Sequence, residues 1–151
     1  MVTRGSNQPF KGTQKAWKWK TLSTDYGKTW SEYTQFTYDD GGGFFSPSSM
    51  SNFIRSSRTG KAYWIGNISR TRPIGNSPRY PLVIAELDEK QLAIRRHTVT
   101  IVDDRGPDDG SAYQLSNMFN VEDPRTGNIV VTLQRYGGNP GGRYEYVIEV
   151  Q

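Results

Sequence analysis

No window of this chain carries apolar residues at the i, i+3, i+4, i+7 spacing of an amphipathic helix, and that absence decides its fold class. Only Glu89 to Arg96, EKQLAIRR, has the composition for a turn or two of helix. Elsewhere the apolar residues fall in short runs rich in β-branched and aromatic side chains: Trp17 to Leu22, Tyr33 to Tyr38, Phe53-Ile54, Tyr63 to Ile65, Leu82 to Leu87, Thr98 to Val102, Tyr113 to Val121, Ile129 to Leu133 and Tyr144 to Val150. Each run is bounded by Gly, Pro, Asn or Asp, which marks about nine short strands and an all-β class. Leu82-Val83-Ile84-Ala85 is apolar on both sides, as a strand inside a stack of sheets must be. In contrast, Tyr144, Tyr146, Ile148 and Val150 alternate with Glu145 and Glu149, the pattern of a half-exposed strand.

With 151 residues the chain has room for one core. It has no cysteine, which excludes disulfides, a CxxC redox centre and thiolate zinc ligation, and His97 is its one histidine. No metal or cofactor is therefore expected. Gly41-Gly42-Gly43 lacks the Lys-Ser/Thr pair of a phosphate loop. The net charge of +4 is spread from Arg4 to Arg143, without the clustered footprint that nucleic acid needs. No apolar run reaches membrane-spanning length, and MVTRGSNQPF has no signal-peptide core, so neither nucleic acid nor membrane is an expected partner.

Two segments echo each other. Ser51-Asn52 with Arg58-Thr59-Gly60 is matched by Ser116-Asn117 with Arg125-Thr126-Gly127, each followed by an apolar run. Both read as strand, tight Thr-Gly turn, strand, with glycine supplying the positive φ of the turn.

The sharpest motif is STDYGKTW, Ser23 to Trp30. In a strand-turn-strand corner the Asp25 carboxylate accepts backbone N–H groups, Gly27 takes the left-handed conformation, and Trp30 is expected to insert between neighbouring sheets. Ser23, Asp25, Gly27, Thr29 and Trp30 resemble the Asp-box, or BNR repeat, of sialidase-like β-propellers. The segments from TYDDGGGFFSPSSMSNFIRSSRTGKAYWIGNI to RYEYVIEV are also similar to the C-terminal half of bacterial exo-sialidase-like proteins, over Trp17 to Val150.

The resemblance implies a partial six-bladed propeller of about two and a half four-stranded blades, spanning 16–151 after a disordered or weakly ordered segment 1–15. Its expected role is as a fragment of an exo-sialidase-like glycoside hydrolase acting on terminal acidic sugars, from a secreted or periplasmic parent. The alternative is a non-catalytic propeller that binds carbohydrate or serves as a scaffold. Beyond an anionic sugar, the implied partners are the remaining blades, or another copy met through exposed blade edges.

Threading the strands into blades puts the short turns at Asp25-Tyr26-Gly27, Ser57 to Gly60, Asp88 to Lys90 and Pro124 to Asn128 on one face. The long loops at Asp39 to Ser48, Ser69 to Arg79, Asp103 to Ala112 and Tyr136 to Gly142 fall on the other, where function is expected. Sialidases hold the substrate carboxylate with arginines, whose planar fork matches it bidentately. The candidates are Arg79, Arg105 and Arg72, each of which can also stand as a solvated loop arginine. The catalytic candidates are Asp103, Asp104 and Tyr80, with Asp39, Asp40, Tyr113 and Tyr136 on the same loops; no motif maps any of them to a role. Asn67-Ile68-Ser69 fits the glycosylation sequon.

Overall fold

The computed structural model describes residues 1–4 and 15–151. Its strands are β1 (Val2–Arg4), β2 (Lys18–Lys20), β3 (Thr34–Gln35), β4 (Asn52–Arg55), β5 (Ala62–Asn67), β6 (Leu82–Asp88), β7 (Ala93–Ile94), β8 (Thr100–Asp103), β9 (Gln114–Glu122), β10 (Ile129–Tyr136) and β11 (Gly142–Ile148). They form three antiparallel sheets, ordered β1-β2-β3, β4-β5-β6-β7 with β8 also on β6, and β11-β10-β9. The fold is all-β. Its one helical element among the described residues is a 3-10 turn at Arg96–Thr98, so the helical turn expected over Glu89 to Arg96 is corrected. There Asp88 accepts the Lys90 and Gln91 N–H groups to make a tight turn, and the chain then pairs Ala93 and Ile94 with β6.

The sheets stack through β5 and β6. Tyr63, Ile65, Leu82 and Ile84 point one way, into a core shared with Leu115, Met118, Ile129, Val131 and Leu133 of the third sheet. Trp64, Val83 and Ala85 point the other way, against Phe36, Phe44 and Ile94. The two-sided apolar run of β6 is thus divided between two cores, as its sequence required. Trp64 is wholly buried, and its indole lies where a side chain at Gly66 would be: a Cβ there would collide with Trp64 Cζ2.

The two echoed segments fold alike. At Ser56–Lys61 and at Asp123–Asn128 the first N–H reaches the last carbonyl (3.0 and 2.9 Å), and the glycine N–H returns to the first carbonyl (2.9 and 2.8 Å). Thr59 and Thr126 each accept the N–H two residues on at 3.2 Å, while Gly60 and Gly127 sit at φ +71° and +69°. The second copy carries a bulge where β9 and β10 shift register: Asn117, at φ 58°, and Met118 stand opposite Leu133.

Residues 2–4 of the segment expected to be weakly ordered instead pair with β2, and the Met1 ammonium donates to Thr21 O at 2.8 Å. The rest of that expectation, at 5–14, lies outside the described residues.

The turn at Ser23 to Trp30 forms the hydrogen bonds its spacing demands. Asp25 accepts the Thr29 N–H (2.9 Å), the Thr29 hydroxyl (2.6 Å) and the Ser23 hydroxyl (2.8 Å). Gly27 sits at φ +84°. The burial of Trp30 is corrected: it is 49 % exposed, because its indole N–H donates to Gly27 O at 3.1 Å and folds the ring back over its own turn.

Candidate anion-binding site

The long loops meet at one end of the stack. Phe45 bridges Ser69, Arg70 pairs with Asp104, and the Gly110 N–H reaches Gly137 O at 2.9 Å. At the opposite end the short turns meet through Arg55–Glu89, through Arg58–Glu149, and through Ser57 N–H bonds to Glu122. The first half of the Asp39 to Ser48 loop departs from this grouping. Asp39 accepts the Arg96 N–H and Asp40 pairs with the Arg96 guanidinium, so both carboxylates are committed in the bend between β7 and β8.

Asn67 organises the long-loop end. Its wholly buried amide donates to Arg79 O (3.1 Å), Pro81 O (3.2 Å) and Leu115 O (2.8 Å), and it accepts from the Ser49 hydroxyl at 2.8 Å. One side chain thereby ties the second sheet to β9 and to the loop before β6. Such burial also withholds this sequon from glycosylation.

Arg79 is positioned from that hub. Its Nη1 donates to the Ser116 hydroxyl at 2.8 Å and its Nε to Asn76 O at 2.9 Å, leaving the half-buried guanidinium without an acidic partner. Beyond Ser49 the same network reaches Lys18, wholly buried, whose Nζ donates to Ser49 O at 2.8 Å. Cross-strand pairing sets Arg4 directly opposite Lys18. Burial, aided by the Arg4 charge, brings the Lys18 ammonium down to about 7; the same two causes lower Arg79. No Asp or Glu pairs with Arg4, Lys18 or Arg79 among the described residues, and residues 5–14 contain no acid. Three cations converge with only neutral acceptors around them, an arrangement that favours an anion.

A second cluster joins β8 to the third sheet. Asp103 accepts from the Tyr146 hydroxyl, from the Tyr113 hydroxyl at 3.3 Å, and pairs with Arg135 Nε at 3.2 Å. Arg135 also donates to Tyr113 at 2.8 Å, lies 4.7 Å from the Tyr144 ring, and reaches Asp109 at 3.6 Å. Burial pushes the Tyr113 phenol up to about 12 and raises Tyr146 as well, with the Asp103 carboxylate adding to the latter. These phenols are proton donors holding a carboxylate, not nucleophiles.

The other candidates therefore separate. Asp103 is locked by three donors, and Asp104 pairs with Arg70. Tyr80 packs its ring 6.0 Å from Tyr113 and 5.9 Å from the Arg105 guanidinium. Arg105 itself donates to Asp109 O at 3.0 Å, on the Tyr80 side of the strand and away from Arg79. Arg72 is exposed and pairs with no described acid. Of the three arginines, only Arg79 belongs to the cation cluster; Lys18, Arg4 and Ser116 join it without having stood out in the sequence. The alternation Trp17-Lys18-Trp19-Lys20 marked two faces but not which one the second sheet covers, and it covers the lysines.

No protein-family model, curated protein or solved structure matches this chain.

Proposed function

We propose that the chain is part of a sialidase-like β-propeller and that its long-loop end binds the carboxylate of a terminal acidic sugar at Arg79. The observation that carries this reading is the convergence of Arg4, Lys18 and Arg79 with no acidic partner. A half-buried guanidinium beside uncompensated positive charge is where a carboxylate gains most, and the planar fork donates two parallel hydrogen bonds to it. The fully formed Asp-box turn and the stack of antiparallel sheets support the propeller reading.

Binding is favoured over hydrolysis by these residues. Every carboxylate of the Asp103 cluster is engaged by donors and its phenols are held protonated, so this cluster provides no free acid/base and no phenolate. An exo-sialidase-like parent would have to draw both from outside this cluster, and charge stabilisation requires all its donors held in place.

The test is titration of N-acetylneuraminic acid, with a neutral hexose as control, followed by calorimetry or amide chemical shifts. Saturable binding of the acid alone is expected, and Arg79→Lys should weaken it on the order of tenfold, the value of one charge-assisted hydrogen bond. Equal affinity in the Arg79→Lys protein would dispose of the site. The purified chain should release no fluorophore from a fluorogenic sialoside; turnover there would overturn the preference for binding.

A further inference from the structure

The second and third sheets stack with unequal widths. The second has four strand positions, the last shared by β7 and β8 on one side of β6, whereas the third has three. They are aligned at β4 and β9, where the Asn52 amide donates to Met118 O at 3.1 Å and to Asn120 Oδ1 at 2.7 Å. On the other side the Tyr146 hydroxyl of β11 reaches Asp103 of β8, and β8 projects past β11 by one strand. β11 makes seven ladder pairs with β10 and none along its other edge among the described residues. The place of a fourth strand in the third sheet is open.

That place is a groove. Two adjoining cavities of about 540 and 260 Å³ run along it, sharing Ile84 and Thr100 of the second sheet and Ile148 and Glu149 of the third. Together they extend from Glu145 to Gln151, roughly 20 Å at about 3.3 Å per residue, which is the length of one short strand. Ile101, 52 % exposed, stands on the β8 wall. Glu86, Glu145 and Glu149 line the groove and no Lys, Arg or His does, although the whole chain carries +4. Lys61 pairs with Glu86 and Arg58 approaches Glu149 at 3.7 Å, while Glu145 has no ion pair among the described residues.

We propose that this edge takes up an extended segment of a separate polypeptide, which adds to β11 as a fourth strand with aliphatic side chains toward β8 and basic ones opposite Glu145 and Glu149. In such strand addition the main-chain hydrogen bonds supply affinity and the alternate side chains supply selectivity. Tyr146 and Ile148 face inward and Glu145, Val147 and Glu149 outward, so the complementary strand reads Lys-Ile-Val-Ile-Lys. A second copy does not fill the place through its own β11. Two-fold pairing of the two β11 edges would drive the projecting β8 of each copy onto the β6 of the other, and centring it on Glu145 or Val147 would set glutamate opposite glutamate. Arg79 takes no part, so this inference and the sugar-binding reading fail independently.

The test is titration of the 151-residue chain with the peptide acetyl-Thr-Lys-Ile-Val-Ile-Lys-Thr-amide, followed by amide chemical shifts. Saturable shifts confined to β8 and β11 are expected, with slowed hydrogen exchange along β11. Glu145→Lys/Glu149→Lys alters only exposed positions; it should weaken binding at least tenfold with an unchanged circular dichroism spectrum. In a strand the N–H groups of alternate residues point to opposite edges. Backbone N-methylation of the two Ile residues and of the Lys, Val and Lys residues should therefore have opposite outcomes, one abolishing binding and the other sparing it. Equal effects of the two methylations overturn strand addition, as does the absence of saturable shifts. A peptide with Glu in place of both Lys that binds as tightly overturns the basic partner. A mass of two 17.1 kDa chains in sedimentation equilibrium that the peptide reduces to one would give the edge to a second copy and overturn the separate polypeptide.

Discussion

A buried ammonium with a single carbonyl acceptor among the described residues is costly, and Lys18 bears that cost whenever it is charged. Its folded pKa of about 7 lies below the unfolded 10.5, so the unfolded chain binds more protons between those values and stability rises with pH across that window. Below about pH 7 the amine is charged in both states and the penalty is complete, roughly 3–5 kcal/mol. Lys18→Met forfeits one hydrogen bond to Ser49, worth about 1 kcal/mol, and should therefore raise Tm at pH 6, with the gain shrinking toward pH 10. A lower Tm at pH 6 would show the ammonium to be stabilising where it sits. The turn at Ser23 to Trp30 gives a contrasting case. Because Trp30 covers only its own hairpin, Trp30→Ala should cost about 1 kcal/mol or less, well under the 3–5 kcal/mol of an aromatic locked between sheets. Asp25 behaves oppositely to Lys18. The Thr29 hydroxyl and N–H and the Ser23 hydroxyl hold its carboxyl at about 2, below the ordinary 3.8, so its contribution is present at neutral pH and is lost as pH falls through about 2. A carboxyl carbon titration by NMR checks this: a midpoint near 3.8 would mean that the turn is open in solution.

At the scale of the elements, the paired Thr-Gly turns offer an internal control. Both glycines need a left-handed conformation, so Ala at either costs about 1–2 kcal/mol of backbone strain. A Cβ at Gly60 meets nothing, whereas one at Gly127 would lie 3.2 Å from Arg58 Cβ. Gly127→Ala should therefore be the more destabilising of the two in denaturant titrations, and equal midpoints would argue against the Arg58 contact. The echo between these turns was readable from Thr59-Gly60 and Thr126-Gly127 because turn chemistry is local. The same holds for β6, whose two-sided apolarity foretold its place between two cores, and for the hydrogen bonds of Asp25. Trp30 was misread for the converse reason: whether an aromatic beside a turn is covered depends on a neighbouring sheet that local spacing does not specify. The candidate site was legible only at Arg79, whose loop leads into an apolar strand. Lys18 was hidden by an alternation that fixes faces without naming the buried one, and the Asp103–Tyr113–Arg135–Tyr146 cluster spans residues too far apart in sequence for any pattern to join.

For the molecule as a whole, the distribution of ladder hydrogen bonds decides where it opens first. The third sheet pairs seven residues on each side of β10, and its inner face supplies most of the larger core. The first sheet has strands of three, three and two residues, with two cross-strand pairs between β2 and β3. Local opening draws on regions with few buried contacts and short ladders, so the first sheet should open well below the global unfolding free energy. Its opening also hydrates Lys18 and relieves the burial penalty that the closed sheet imposes, which lowers the cost further below about pH 7. The expected order in native-state hydrogen exchange is therefore early loss of protection at Trp19 and Phe36 and late loss at Val131 and Leu133, the gap narrowing as pH is raised through 7 once intrinsic exchange rates are divided out. Uniform protection across all three sheets at low concentration would instead mean that the stack unfolds as a single unit, with the short ladder of β2 and β3 held as firmly as the long ladder of β10.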